Sequence, residues 1–197
     1  MYLNKELLKN FLDRKEITWL GVDFSQATFT QNGFDLPTDA FHFYFNEWNK
    51  MFITDQKKYN LRITFQKPIV NYDLRMVTKK NIITKEKLRI KKHIQIENTY
   101  NEEFIINYIS QLKIPQNTEF AVLFIVESLD QNLKAAAVWV CIIHTNTKQT
   151  VLCERFTERP KGFNVKSYWA RVFYNITFRI NDLHFEQWVN FIKDNPN

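Results

Sequence analysis

Asp23 and Glu127 are the two carboxylates whose settings could support chemistry. Each follows an apolar run, and each has a serine close behind it, Ser25 and Ser128. If both runs are parallel strands at the centre of a sheet, both acids reach its carboxyl edge, where open α/β sheets place ligands. Two carboxyls in unlike surroundings can divide into acid and base, or share a divalent cation. That is a hydrolase reading. The plainer reading is that each acid ends a strand by capping a turn or meeting a surface lysine.

A second group lies between Arg155 and Trp169. Arg155, Arg159, Lys161 and Lys166 alternate there with Phe156, Phe163, Tyr168 and Trp169, and a helix is expected to begin near Ser167 with free N–H groups. Such a turn suits a phosphate, a carboxylate or an acidic partner loop. The same aromatics could simply staple the turn to the core while the bases stay solvated. A third group runs from Lys79 to His93, where seven cations against the single Glu86 account for the whole formal net charge of +6. It could form a strand face for nucleic acid or an anionic surface. No aromatic side chain stands among those lysines to stack bases, and a lysine-rich edge strand that resists aggregation uses the same residues.

Other chemistries are excluded by what is missing. Gly21, Gly33 and Gly162 are the three glycines of the chain, where average usage gives about fourteen. No window holds two of them, so Gly-rich phosphate loops are ruled out. His42, His93, His144 and His184 are scattered, there is no CxxC, HExxH or GxSxG, and nothing calls for a metal or cofactor. Cys141 and Cys153 face each other if the hairpin loop is Asn146, Thr147 and Lys148; two small buried thiols fit that setting better than a strained cross-strand disulfide.

The elements that must position these groups follow from periodicity. The chain has 197 residues, 45% hydrophobic, enough to bury a core without metal or disulfide. No repeat or Pro/Gly/Ser-rich linker divides it, so one domain over residues 1–197 is expected, with an amino-terminal amphipathic helix within 1–14. Residues 17–25 read as a strand with Leu20, Val22 and Phe24 on one face and Trp19, Gly21 and Asp23 on the other. Asp39 is expected to cap a helix reaching Phe52, with Phe41, Phe45 and Trp48 on its buried face. Residues 61–65 suit strand or helix. Residues 70–76 and 88–96 alternate as strands, and Thr99 with Glu102 has capping-box spacing before a helix ending near Leu112.

Residues 120–126 are apolar on both faces, the pattern of a central strand covered above and below. A hairpin follows over 137–156. Helices are expected over 166–180 and, capped by Asn181 or Asp182, onward through Trp188 and Ile192. The sum is an α+β fold, an α/β sandwich: a single mixed β-sheet of about five or six strands with helices packed against it.

The segments ITWLGVDFS (17–25), FNEW (45–48), FIVESL (124–129) and the long stretch 145–175 resemble an uncharacterised Bacteroidetes family. The resemblance covers most of residues 17–180, and members are usually exported envelope proteins. It implies association with the bacterial cell envelope and assigns no activity. The element order also looks like the small α/β domain at the amino terminus of the Tol translocation protein and in the curli-secretion lipoprotein, a likeness of fold alone. No signal is visible after Met1 and no apolar run reaches the ~20 residues of a membrane helix. The expected place is the periplasm or cell envelope if a signal was removed, and the cytoplasm otherwise. The expected function is a non-enzymatic binding domain with a protein or envelope partner held at Arg155, Arg159, Lys161, Lys166, Tyr168 and Trp169.

Overall fold

The central strand is β6 (Phe120–Asp130), buried at all 11 positions. A strand apolar on both sides is stable only where helices cover both faces of its sheet, and the computed structural model, which describes residues 1–30, 38–82, 89–91 and 100–194, has that architecture. On one side β6 pairs antiparallel with β7 (Ala135–His144), which pairs with β8 (Gln149–Glu158). On the other side it pairs parallel with β2 (Glu16–Asp23), which pairs parallel with β4 (Ile69–Tyr72). Three short strands complete an eight-stranded mixed sheet among the described residues: β1 (Tyr2–Leu3) beside β8, β3 (Thr28–Thr30) beside the far end of β6, and β5 (Arg89–Lys91) beside β3. The α+β class is as read from the sequence. The two- and three-residue strands carry too little alternation to be seen there.

One face is covered by α1 (Lys5–Asp13), α2 (Thr38–Thr54), the single turn α3 (Leu61–Thr64), α6 (Val165–Arg179) and α7 (Phe185–Asp194). Its core is aromatic: the rings of Phe24 and Phe45 stack at 4.3 Å, and Trp19 packs on Phe52 and Phe124 at 4.6 and 4.8 Å. The other face is covered by α4 (Arg75–Lys80) and α5 (Glu102–Ser110), over Leu20, Leu123, Ile125 and Trp139.

Several expectations shift by one physical cause each. Trp19 joins Val22 and Phe24 on the aromatic face, and Leu20 goes to the opposite one. The register of β2 on β6 slips between Trp19 and Gly21, and Gly21 has φ +102°, so a bulge inverts the alternation midway. Beyond the bulge β2 has lost β4 as a neighbour, and two buried amides replace it. Asn49 accepts from Val22 N–H at 2.7 Å and donates to Val22 C=O; Asn81 accepts from Phe24 N–H at 2.7 Å and also donates to Val22 C=O. The strand expected over 70–76 ends at Tyr72, because Asp73 turns the chain by accepting from Arg75 N–H, and Met76 and Val77 are buried from a helix instead.

Helix α2 starts at Thr38, which puts Asp39 inside its first turn and not at the cap. Asn101, not Thr99, caps α5, accepting from Phe104 N–H at 2.8 Å; Thr99 itself lies outside the described residues. Of the strand expected over 88–96, Arg89–Lys91 is β5 and the rest lies outside them. The 120–126 strand and the hairpin each run longer than expected, to Asp130 and over 135–158. Cys141 and Cys153 are opposite as expected, but the turn is four residues with a register slip beyond Ile142. Between α6 and α7 no asparagine or aspartate cap intervenes; a π-helical turn, Ile180–His184, carries one helix into the next. Helix α1 is docked, with Leu8 and Phe11 fully buried.

Lys67 ties α1 down. Its ammonium donates to Phe11 C=O at 2.6 Å, Leu12 C=O at 3.0 Å and Arg14 C=O at 2.8 Å, and lies 4.3 Å from the Phe11 ring centre. All three donors of the lysine are therefore used on the carboxyl end of a helix, where the backbone is negative.

Two stability measurements test this frame. Gly21→Ala forces a Cβ to within 2.4 Å of Asn49 Oδ1 at a φ that alanine resists; a loss of about 3 kcal/mol in urea unfolding is expected, and a loss below about 1 kcal/mol would show that the bulge relaxes. Lys67→Met removes a donor from three carbonyls, of which Phe11 C=O keeps Arg14 N–H at 3.2 Å, and is expected to cost about 2 kcal/mol. Burial lowers the Lys67 ammonium to about 8, against the pull of Asp13. The unfolded chain then holds this proton at pH values where the folded chain has lost it. Wild-type stability relative to Lys67→Met should rise with pH from about 8 to about 10.5, the ordinary lysine value; a flat difference contradicts it.

Candidate functional site

Asp23 ends β2 opposite Ile125, and Glu127 lies two positions farther along β6 at a bulge between Val126 and Ser128. Both side chains sit on the α4/α5 side of the sheet, and both residues are 0% exposed. The Asp23 carboxylate accepts from Ser25 N–H at 2.8 Å and from the Tyr108 hydroxyl at 2.5 Å, and that hydroxyl is 2.8 Å from Ser25 Oγ. Burial, and next the Asp23 charge, push the Tyr108 phenol well above its usual range, so it stays a donor. Glu127 accepts from Arg155 through both oxygens, at 2.8 and 2.9 Å, and from Trp139 Nε1 at 2.8 Å. Among the described residues the two sets of partners do not overlap. The fold brings the acids to one side of the sheet and gives each its own described polar partners.

The second sequence group is divided. Arg155 points to Glu127, away from the turn. Lys166 pairs with Glu47 at 2.6 Å, and its hydrogen bond, with the charges of Lys166 and Lys50, holds that carboxyl below its usual value; Trp169 is 1% exposed in the aromatic core. The amide near Ser167 that an anion could have used is occupied. Asn164 caps α6 through Ser167 N–H at 2.8 Å, and Ser167 Oγ accepts from Asn164 N–H at 3.3 Å. What remains accessible is Arg159, Lys161 and Phe163, the last fully exposed, beside a recess of about 320 Å³ lined by Gln131, Val165, Tyr168 and Trp169. The turn that carries them is tight: a Cβ on Gly162 would fall 2.5 Å from Tyr168 N.

Of the basic segment, Lys79 and Lys80 end α4, while Arg89 and Lys91 belong to β5; Lys85, Lys87, Lys92 and His93 lie outside the described residues. Lys79 and Lys80 line a larger recess, about 650 Å³, with Arg75, Lys113 and Lys148. These five cations come from three separate stretches of chain, so no sequence window reveals them together.

A further constellation escaped the sequence reading. His184, in the π-helical turn, donates from Nδ1 to Glu154 at 3.0 Å, and its Nε2 lies 3.2 Å from Arg179 Nη2. Arginine only donates, so at this contact Nε2 is the acceptor and Nδ1 faces the Glu154 carboxylate. Arg179 also holds Glu158, and Trp188 Nε1 donates to Glu154 at 2.8 Å. Every polar group in this chain of contacts faces another, so it staples α6 and α7 to β8. Its one sequence trace is the alternation of Glu154 and Glu158 outside an apolar strand pattern.

No group of three or more His, Cys, Asp or Glu able to hold a metal occurs among the described residues. Among them, no helix is long and apolar enough to cross a membrane. No family model matches the chain, and no curated protein matches it. One solved structure is similar, the hypothetical protein CT253 from Chlamydia trachomatis, at 11% identity and a TM-score of 0.37, over 85% of this chain and 96% of that one. A likeness that slight carries neither fold nor function.

If Glu127 and Arg155 form a structural pair, breaking it is costly and removing both members is not. Glu127→Gln should lose about 3 kcal/mol in urea unfolding, and Glu127→Gln with Arg155→Met should recover at least half of it. Additive losses contradict the pairing.

Proposed function

We propose that this chain is a non-enzymatic binding domain of the bacterial cell envelope, and that a protein partner docks on the turn at 159–163. The envelope setting rests on the family resemblance of residues 17–180. The docking surface rests on one observation, the full exposure of Phe163. An aromatic ring wholly in water on a turn pinned by Gly162 and a capped helix start is a preorganised anchor, since little conformational entropy is lost when it is buried by a partner. Arg159 and Lys161 beside it favour a partner surface with acidic groups around an apolar pocket.

The competing hydrolase reading needs Asp23 or Glu127 to reach a substrate. Both are buried, and Glu127 is already neutralised by Arg155. Nucleic-acid binding through the 79–93 segment is weakened by the absence of aromatic stacking groups in it.

The test is affinity capture from soluble and membrane fractions of the source cells, with wild type against Phe163→Asp combined with Lys161→Glu. Both positions are exposed, so the urea midpoint should not move. A partner captured by wild type should be recovered at least ten-fold less with the double variant; equal recovery overturns the assignment.

A further inference from the structure

In the basic recess of about 650 Å³, four of the five cations have no ionic partner among the described residues. Arg75 is tied to Asp73 through Nε at 2.9 Å and through Nη2, and Asn117 donates to the same carboxylate at 2.8 Å. The hydrogen bond from Arg75 holds Asp73 down at about 2, so this pair stays ionised and self-neutral. The four lysines Lys79, Lys80, Lys113 and Lys148 form no ion pair among the described residues. Among the described residues, no acidic side chain lines the recess. Four lysines lining one concavity place like charge around it, which an entering anion relieves, and a concave low-dielectric wall strengthens the field that draws it in.

The floor is apolar. Met76, Leu112 and Ile114 are each no more than 8% exposed, with Pro115 at the side. The described lining contains no aromatic residue, and the Tyr108 ring, which is not part of it, is faced by Lys80 Nζ at 4.8 Å. A base would find nothing to stack on. The volume lies within the range for small-molecule sites. Ammonium groups on flexible stems act as point charges around a tetrahedral anion, whereas a planar carboxylate is matched by an arginine fork, and the one arginine here is engaged.

We propose that this recess, formed between α4 and the 111–115 segment with Lys148 at its rim, binds a phosphate ester with an apolar body. The phosphate sits among Lys79, Lys80, Lys113 and Lys148, and the apolar part lies on Met76, Leu112 and Ile114. It is on the opposite face of the sheet from the docking turn and does not depend on it. Two sources share this chemistry, a soluble organic phosphate and the headgroup region of an anionic phospholipid.

The probe is 1-naphthyl phosphate, titrated calorimetrically into the full chain at low ionic strength, with 1-naphthol and inorganic phosphate as comparisons. Saturable binding of the ester, tighter than either comparison and weakening with added salt, is expected. Lys79→Gln, Lys80→Gln and Lys113→Gln together should weaken it at least ten-fold. Lys9→Gln, Lys15→Gln and Lys193→Gln, which remove the same charge elsewhere, should leave it within two-fold. Vesicles of phosphatidylcholine with 30% phosphatidylglycerol that displace the ester point to a lipid headgroup, and vesicles that do not displace it point to a soluble ester; either agrees with the proposal. Absence of saturable binding, 1-naphthol binding as tightly as the ester, equal losses in both triple variants, or capture of a mixed-sequence oligonucleotide without the ester overturns it.

Discussion

A strand with large apolar side chains on both faces cannot lie at a surface, and everything else in this protein is arranged around meeting that demand for β6. Its Phe120, Val122, Phe124 and Val126 project into one layer, and Ala121, Leu123 and Ile125 into the other. Two helical layers are therefore obligatory, one from each side. The thicker layer takes the rings, so that Trp19, Phe24, Phe45, Trp48 and Phe52, joined through Phe173, form one continuous aromatic body. The thinner one, α4 and α5, is built from smaller residues and leaves the recess at its edge. Gly21 is where the two demands meet. The bulge there places Val22 and Phe24 with Trp19, and a Cβ at that position would strike Asn49 from one layer and Val77 and Leu74 from the other.

Sequence patterns revealed the parts of this arrangement that repeat. The double-sided apolarity of residues 120–126, the 41/45/48/52 stripe and the hairpin around Cys141 and Cys153 are periodic over several residues, and each appears in the fold. What stayed hidden was non-periodic. The bulge at Gly21 reverses an alternation that looked unbroken. Asp73 converts the second half of an apparent strand into a helix by one side-chain bond. Lys67, which reads as a surface cation before a proline, is 2% exposed because three carbonyls of α1 converge on it. Strands of two or three residues are paired because their neighbours hold them, and their sequences give no sign of it.

The candidate sites follow the same division. Asp23 and Glu127 were legible as acids at strand ends, yet their meaning depends on Tyr108, Arg155 and Trp139, which come from elements far away in sequence. Arg155 looked like a member of the turn that follows it; strand alternation sends its side chain across the sheet instead. Conversely, Lys113 and Lys148 have no local signal at all and acquire significance by converging with Lys79 and Lys80. Among the described residues, the buried Asp23, Lys67, Asp73, Glu127 and Asp130 each have hydrogen-bonded partners, while Lys79, Lys113 and Lys148 form no ion pair.

Native-state hydrogen exchange tests the central position of β6 most directly. Amides of Val122 through Ile125, in the stretch of β6 paired on one side with β2 and on the other with β7, should exchange only through global unfolding, with opening free energies that track the urea stability and exceed those of the edge strand β4. If those amides instead exchange as readily as Val70 and Asn71, independent of global stability, β6 is not the innermost strand and the layered architecture is contradicted.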